Sequence, residues 1–308
     1  MPKDRGQAAP REFRAVEDGD HDGGEPHRSK YTALPVISLC MVVRNEEARL
    51  GACLRSVRAA VKEVLVVDTG SRDSTVRIAR SFGAKVLRTR WRDDFRLPRE
   101  LSFRHASGDW ILVLDADERV DGRKIQALTG GKADAWRFAQ RIPSRAWGLL
   151  QAGGKGFSET PVVRLFRNLP SIRCANRVHA DVEPWLRKAG KVIRDAPFPI
   201  LHLQDQSPGA MRRRLGRYLR MNLKQVVEDP GDARARRDLG SLLFSVRRDH
   251  RAALRQLDAA LRLAPRDAMA HALRGLVLLD AGRREEAAEA LRRGRGRDAT
   301  LLRKLVEA

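Results

Sequence analysis

The stretch Gly108-Asp109-Trp110-Ile111-Leu112-Val113-Leu114-Asp115-Ala116-Asp117-Glu118 constrains the fold more than any other part of the chain. Ile111 to Leu114 is an unbroken apolar run of strand length, the pattern of a central strand buried on both faces. It ends in three carboxylates. Side chains alternate along a strand, so Asp115 and Asp117 project to one side and Ala116 to the other. Two carboxylates converging at the end of a buried strand repel each other unless positive charge stands between them. A divalent cation of the Mg²⁺ kind, which takes one or two carboxylates plus phosphate oxygens, meets that need. A solvated acidic turn is the plainer reading of an isolated Asp-x-Asp, and the sequence upstream decides against it.

Upstream, Val36 to Val43 reads as a first buried strand, and Asn45-Glu46-Glu47 opens a helix with Leu50, Cys53, Leu54 and Val57 at helical spacing. Val64 to Asp68 is a second strand, and the loop Thr69 to Thr75 leads into a helix carrying Val76, Ile78, Ala79 and Phe82. Lys85 to Thr89 makes a third strand, and a short helix around Arg99 to Ala106 returns the chain to the Asp115 strand. Alternation of this kind specifies an α/β fold with a mainly parallel sheet and helices on both faces. Ligands of such sheets bind outside the carboxyl ends of the strands, where Asn45, Glu46, Asp68, Asp115 and Asp117 stand. Asp68 is suited to a base N–H or ribose hydroxyls, or to capping its own loop. Asn45 and Glu46 read equally as caps or as nucleotide contacts, and Asp73 reads as a helix cap. No GxGxxG follows the first strand and no GxxxxGK[ST] occurs, which disfavours a dinucleotide or P-loop fold.

The segments ISLCMVVRNEEARLGACLRSV, VLVVDTGSRDSTVRIARSFGAKV, WRDDF and ASGDWILVLDADE, in this order, resemble a family-two glycosyltransferase of the GT-A fold. More narrowly they resemble bacterial lipopolysaccharide-core glucosyltransferases, which often carry tetratricopeptide repeats. The resemblance covers roughly Val36 to His202 and implies a metal-dependent, inverting transfer from a nucleotide-sugar, a UDP-sugar first, to a glycan, lipid-linked or protein acceptor in cell-envelope synthesis. Asp117 would clamp Mn²⁺ or Mg²⁺, with Asp115 reaching ribose or the metal and His202 and His179 completing the shell. Arg99 resembles an arginine placed to meet the nucleotide, although Glu100 stands where the family commonly has Asn. VRLFRN and NRVHADVEP resemble the family's RLFRN and RVHE elements, with Ala180 in place of the usual Glu after His179. Asp181, then Glu183, become the candidate catalytic bases, both facing the cleft if this stretch is extended. A sugar-phosphate nucleotidyltransferase lacks its Gly-rich loop here, and a non-catalytic repeat scaffold is the remaining alternative.

The rest of the chain divides around this unit. Residues 1–33 are polar and aperiodic and read as a disordered tail. Residues 34–205 form the transferase unit. In it Ala135–Ile142 and Val162–Arg167 alternate like edge strands, and Gly153-Gly154-Lys155-Gly156 reads as a flexible loop near the acceptor. Residues 206–308 are helical: Pro208 to Glu228 forms an amphipathic helix, and two repeats follow with Gly240 and Gly275 35 positions apart and Ala253 and Ala287 34 apart. That period is tetratricopeptide-like. The helix at 208 would cap the array, and the array would serve a protein partner or an anionic membrane instead of the catalytic centre.

The formal charge of +22 invites nucleic acid as a partner. The basic residues are mixed with acidic ones, however, and aromatics make up only 5%, too few for a stacking platform, so no nucleic acid is expected. An anionic membrane surface suits the excess better, and a general Arg-rich, Ala-rich compositional bias accounts for it at least as well. Cys40, Cys53 and Cys174 form no CxxC, no apolar run reaches ~18 residues, and the N-terminus lacks a signal-peptide core. A cytoplasmic protein, peripheral at the inner face of the membrane, is the expectation.

Overall fold

The computed structural model describes residues 34–143 and 157–294. The expected N-terminal tail and the Gly153–Gly156 loop lie outside them. Among the described residues, one sheet of nine strands runs in the order β3-β2-β1-β4-β7-β6-β9-β5, with β8 also paired to β6. Its first half is β1 (Ile37–Val43), β2 (Glu63–Asp68), β3 (Lys85–Arg88) and β4 (Trp110–Val113), all parallel. The second half joins antiparallel, through β7 (Phe157–Arg167) on β4 and then β6 (Ala135–Pro143) on β7. Short strands β5 (Glu118–Arg119), β8 (Ile193–Asp195) and β9 (Ile200–His202) complete it.

The central strands are buried on both faces, as their unbroken apolar runs require. Trp110, Leu112 and Leu114 join one core with Ile37, Leu39 and Met41, under α1 (Leu50–Val57), α2 (Thr75–Ser81) and α4 (Gly122–Leu128). Ile111 and Val113 join the other core with Cys40, Phe103 and Leu186, under α3 (Arg96–His105) and α5 (Glu183–Lys188). β6 and β7 are interior strands and not the expected edges, each paired on both sides. Their alternation misleads because polar side chains such as Gln140 and Arg164 point into the protein, where both are buried.

All three cysteines are free and buried, and burial pushes each thiol up to about 12. Thiolates are the reactive form. At pH 8 the native chain is therefore expected to leave Cys40, Cys53 and Cys174 unmodified by a disulfide reagent such as DTNB and to release all three on unfolding; rapid native labelling would contradict the packing.

The helical part begins with α6 (Pro208–Glu228), followed by the pairs α7 (Ala233–Arg247) with α8 (His250–Leu263) and α9 (Ala268–Asp280) with α10 (Arg284–Arg293). The two glycines that mark the repeat do the same thing. A Cβ on Gly240 would lie 2.8 Å from Leu257, and one on Gly275 would lie 2.5 Å from Leu291, so each bare backbone lets the partner helix's leucine pack close. α6 lies against this array as expected, its Leu215, Tyr218 and Leu219 sharing a core with Leu239, Leu243 and Leu257. No helix among the described residues is long and apolar enough to cross a membrane.

Candidate active site

The loops after β1 and β2 are laced together at the carboxyl end of the sheet. Asn45, at φ 55°, receives a hydrogen bond from the Arg72 backbone and donates its own N–H to Ser71 at 2.9 Å. The Glu46 N–H donates to Thr75 at 2.7 Å, and its carbonyl receives the first N–H groups of α1, so the backbone of Glu46 does the capping and its side chain is left over. One Glu46 carboxylate oxygen is buried without a hydrogen bond, and burial, then Asp117, pushes this carboxyl up. Asp68 is buried and accepts the Ser71 and Gly70 N–H groups. Asp73 accepts the Thr75 and Glu47 N–H groups and caps locally.

The carboxylates after β4 separate into three roles. Asp115 is held by arginines on both oxygens, Arg99 at 2.9 Å and Arg164 at 3.0 Å. Burial pushes the Asp115 carboxyl up, but Arg164 and then Arg99 outweigh it and hold the group down at about 2. Its oxygens are thus taken by guanidinium groups where sequence reading had a metal or ribose. Glu118 is fully buried, accepting from Arg164 at 2.6 Å and Gln140 at 2.5 Å and receiving the Asp115 N–H at 2.8 Å; burial pushes its carboxyl up. Among the described residues no arginine pairs with Asp117. The pairing of β5 with β9 sets Glu118 opposite His202, and the His202 imidazole lies 3.4 Å from the Asp117 carboxylate. The His202 Nδ1 is buried without a partner.

A carboxylate and an imidazole whose Nε2 lies 3.4 Å from it are donors that Mn²⁺ or Mg²⁺ accepts, with diphosphate oxygens able to supply the remaining positions. Among the described residues no three His, Cys, Asp or Glu side chains are arranged to hold a metal by themselves.

Other expected residues lie elsewhere. His179 is half exposed and pairs with Asp238 of α7 at 3.7 Å. Asp181 accepts the Glu183 N–H at 2.9 Å and faces Arg234 of α7 at 3.4 Å. Glu183 pairs with Arg187 and Arg137. Among the described residues neither Asp181 nor Glu183 is bonded to the Asp115–Glu118 group. The reason is local: the stretch is not extended. Asn176 and Ala180 take left-handed φ of 61° and 43°, and α5 starts at Glu183, so the alternation that would turn both carboxylates into the cleft is absent. Glu100, at the position where Asn was expected, holds the Cys174 backbone at 2.9 Å.

Sequence reading missed Arg164 and Gln140. The available signal was a charged and an amide residue inside strands otherwise apolar on that face, with three carboxylates nearby in need of compensation. A cavity of about 910 Å³ lies among α8, α9 and α10, lined by Arg262, Arg266, His271 and Arg274; it has no pair of acids at a strand end.

Residues 38–137 match Glycosyl transferase family 2. Over 241 residues the chain is 36% identical to a TPR repeat-containing protein of Synechococcus elongatus, covering 75% of this chain and 57% of that protein. It is 40% identical over 86 residues to an uncharacterized glycosyltransferase of Rickettsia typhi, 27% of this chain and 28% of that one. It is 33% identical over 85 residues to the SPbeta prophage-derived glycosyltransferase SunS of Bacillus subtilis, 27% of this chain and 20% of that one. The chain therefore spans just over half of the first relative and less than a third of the other two. Among solved structures, S. aureus TarS 1-349 in complex with UDP-GlcNAc superimposes with a TM-score of 0.49 at 14% identity, covering 88% of this chain and 90% of that one. The matched segment holds Asn45, Glu46, Asp68, Arg99 and the Asp115–Glu118 carboxylates, and residues 38–137 belong to glycosyl transferase family 2.

Proposed function

We propose that the chain transfers a sugar from a nucleoside-diphosphate donor to an acceptor hydroxyl, with inversion, using a divalent metal held by Asp117 and His202. The observation that carries this reading is the Asp117–His202 pair, in which Asp117 belongs to the segment that matches family 2, acts on Glu46 and meets a histidine from beyond that segment. When bound, the metal would supply Lewis-acid stabilisation of the departing diphosphate. Asp68, with a carboxylate already fixed by its own loop, is oriented for hydrogen bonds to the base or ribose. Asp115 acts from behind, keeping Arg99 and Arg164 in place.

The acceptor oxygen attacks the anomeric carbon, the bond to the diphosphate oxygen breaks, and the acceptor proton goes to a base. Asp181 and Glu183 are the carboxylates proposed for that role, and either would have to give up an arginine, Arg234 for Asp181 and Arg137 or Arg187 for Glu183. A UDP-sugar is the first donor to try. The acceptor belongs to the glycan, lipid-linked or protein class, in cell-envelope synthesis, and the helices are proposed as tetratricopeptide-like repeats that engage a protein partner or an anionic membrane face.

The test is calorimetry of UDP and GDP with and without Mn²⁺. Binding should strengthen with metal, and Asp117→Ala should abolish the metal-dependent increment while leaving the metal-free affinity within about twofold, because only the shared ligand is removed. Metal-dependent binding that is unchanged in Asp117→Ala would overturn the assignment.

A further inference from the structure

α6 lies outside the family 2 segment, in the part of the sequence expected to stand apart from catalysis. Its geometry says otherwise. Arg214 donates to the Asp205 carbonyl at 3.1 Å, three residues beyond His202, which ties the helix to the strand end that carries the candidate metal ligand. The Tyr218 ring packs into the helical core, and the charges of Arg217, Asp115, Arg214 and Asp117 all act on its hydroxyl. Burial pushes that hydroxyl up against the opposing pull of Arg217.

The arginines around the carboxylates are almost all engaged. Arg99 and Arg164 are taken by Asp115 and Glu118. Arg49 lies between Glu46 and Asp205. Arg119 bonds the carbonyls of Ala116, Glu118 and Arg49. Arg217 is different: it is half-buried, its Nε is buried without a partner, and among the described residues no acid or carbonyl receives its guanidinium. A half-buried guanidinium with open donors, about one helical turn from the Arg214 that ties α6 to the strand end carrying His202, fits an anion that arrives from outside. The planar fork matches phosphate oxygens best.

We infer that Arg217, with the Tyr218 hydroxyl beside it, binds the diphosphate of the donor, so that α6 supplies part of the donor site from beyond the family 2 domain. This rests on the glycosyltransferase reading above. It means that a boundary at residue 205 separates the sheet from a helix that serves the same ligand.

The experiment uses the full chain with Mn²⁺ and compares UDP and GDP with uridine and guanosine by calorimetry. Arg217→Gln is expected to weaken the preferred nucleoside diphosphate by roughly tenfold or more, the scale of a lost charge-assisted hydrogen bond, while the nucleoside, which lacks phosphate, binds within about twofold of wild type. Arg217→Lys should recover part of the loss, and Tyr218→Phe, which keeps the packed ring, should cost a few-fold. Arg220→Gln, an exposed arginine on the same helix, should change nothing. Equal diphosphate affinity in Arg217→Gln overturns the inference. So does an equal loss for the nucleoside, which would mark a general disturbance of the fold, or an equal loss in Arg220→Gln, which would mark bulk charge. A wild-type chain that binds neither diphosphate overturns the parent reading instead.

Discussion

Replacing Arg164 by methionine is expected to destabilise the fold by about 3–5 kcal/mol, the usual cost of removing one partner from a buried ion pair. Arg164 is 7% exposed and bridges Asp115 and Glu118 at 3.0 and 2.6 Å. Methionine fills much of the same volume, so the loss is electrostatic more than steric. Glu118 would keep only the Gln140 amide and the Asp115 N–H. The effect has a sign in pH. In the wild type Asp115 is held at about 2, below its unfolded value, so its contribution is present above the ordinary carboxylate range and fades as pH falls through 2. In the variant that pull is weakened, and Glu118, already raised by burial, is raised further. A carboxyl raised in the folded state favours folding only while protonated, so the penalty should be larger at pH 8 than at pH 4. Urea denaturation at the two pH values measures it. A penalty under about 1 kcal/mol at both would mean that Arg164 is a surface-type ion pair.

How far the site could be read from the sequence follows from which interactions are local. β1, β2 and β4 are legible because each carries an apolar run buried on both faces, and their carboxyl ends could be assigned with no knowledge of side-chain partners. The joining of Asp117 with His202 depends on β5 pairing with β9 across more than eighty residues, and only the family resemblance pointed to it. Arg99 and Arg164 reach Asp115 from 16 and 49 residues away, and no spacing rule links such positions. The His179–Glu183 stretch departs from the extended form for a different reason. Its chemistry invited an extended strand, but Ala180 at φ 43° breaks the alternation, and a left-handed alanine leaves no mark in composition or pattern. The residues of that stretch instead meet the helices: His179 meets Asp238, Asp181 meets Arg234, and Arg177 pairs with Glu228. Motif elements expected at the acceptor therefore pair with α6 and α7.

Gly108→Ala should cost less than the Arg164 change but should damage the site along with the fold. The φ of Gly108 is unremarkable; what requires glycine is close approach. A Cβ there would stand 2.7 Å from the Ser38 hydroxyl and 2.8 Å from the Val36 carbonyl, and the second of these is backbone that cannot swing away. The same point anchors β4 to β1: the Gly108 N–H donates to Ser38 at 2.9 Å, Trp110 donates to the Val36 carbonyl at 3.1 Å, and Asn168 donates to the Gly108 carbonyl at 2.9 Å. Overpacking of this kind costs roughly 1–3 kcal/mol. Relief can come only from moving the start of β4 away from β1, and β4 is the strand whose far end carries Asp115, Asp117 and Glu118. Gly130→Ala is the control, because a Cβ at Gly130 meets nothing within 4 Å and its φ is not left-handed. The midpoint of urea unfolding should fall in Gly108→Ala with an unchanged slope, and the Mn²⁺-dependent part of nucleoside-diphosphate binding should weaken with it, while Gly130→Ala matches wild type in both. If the two alanine variants behaved alike, close approach at Gly108 would not set the position of the carboxylate strand, and the glycine of the ASGDW segment would need another explanation.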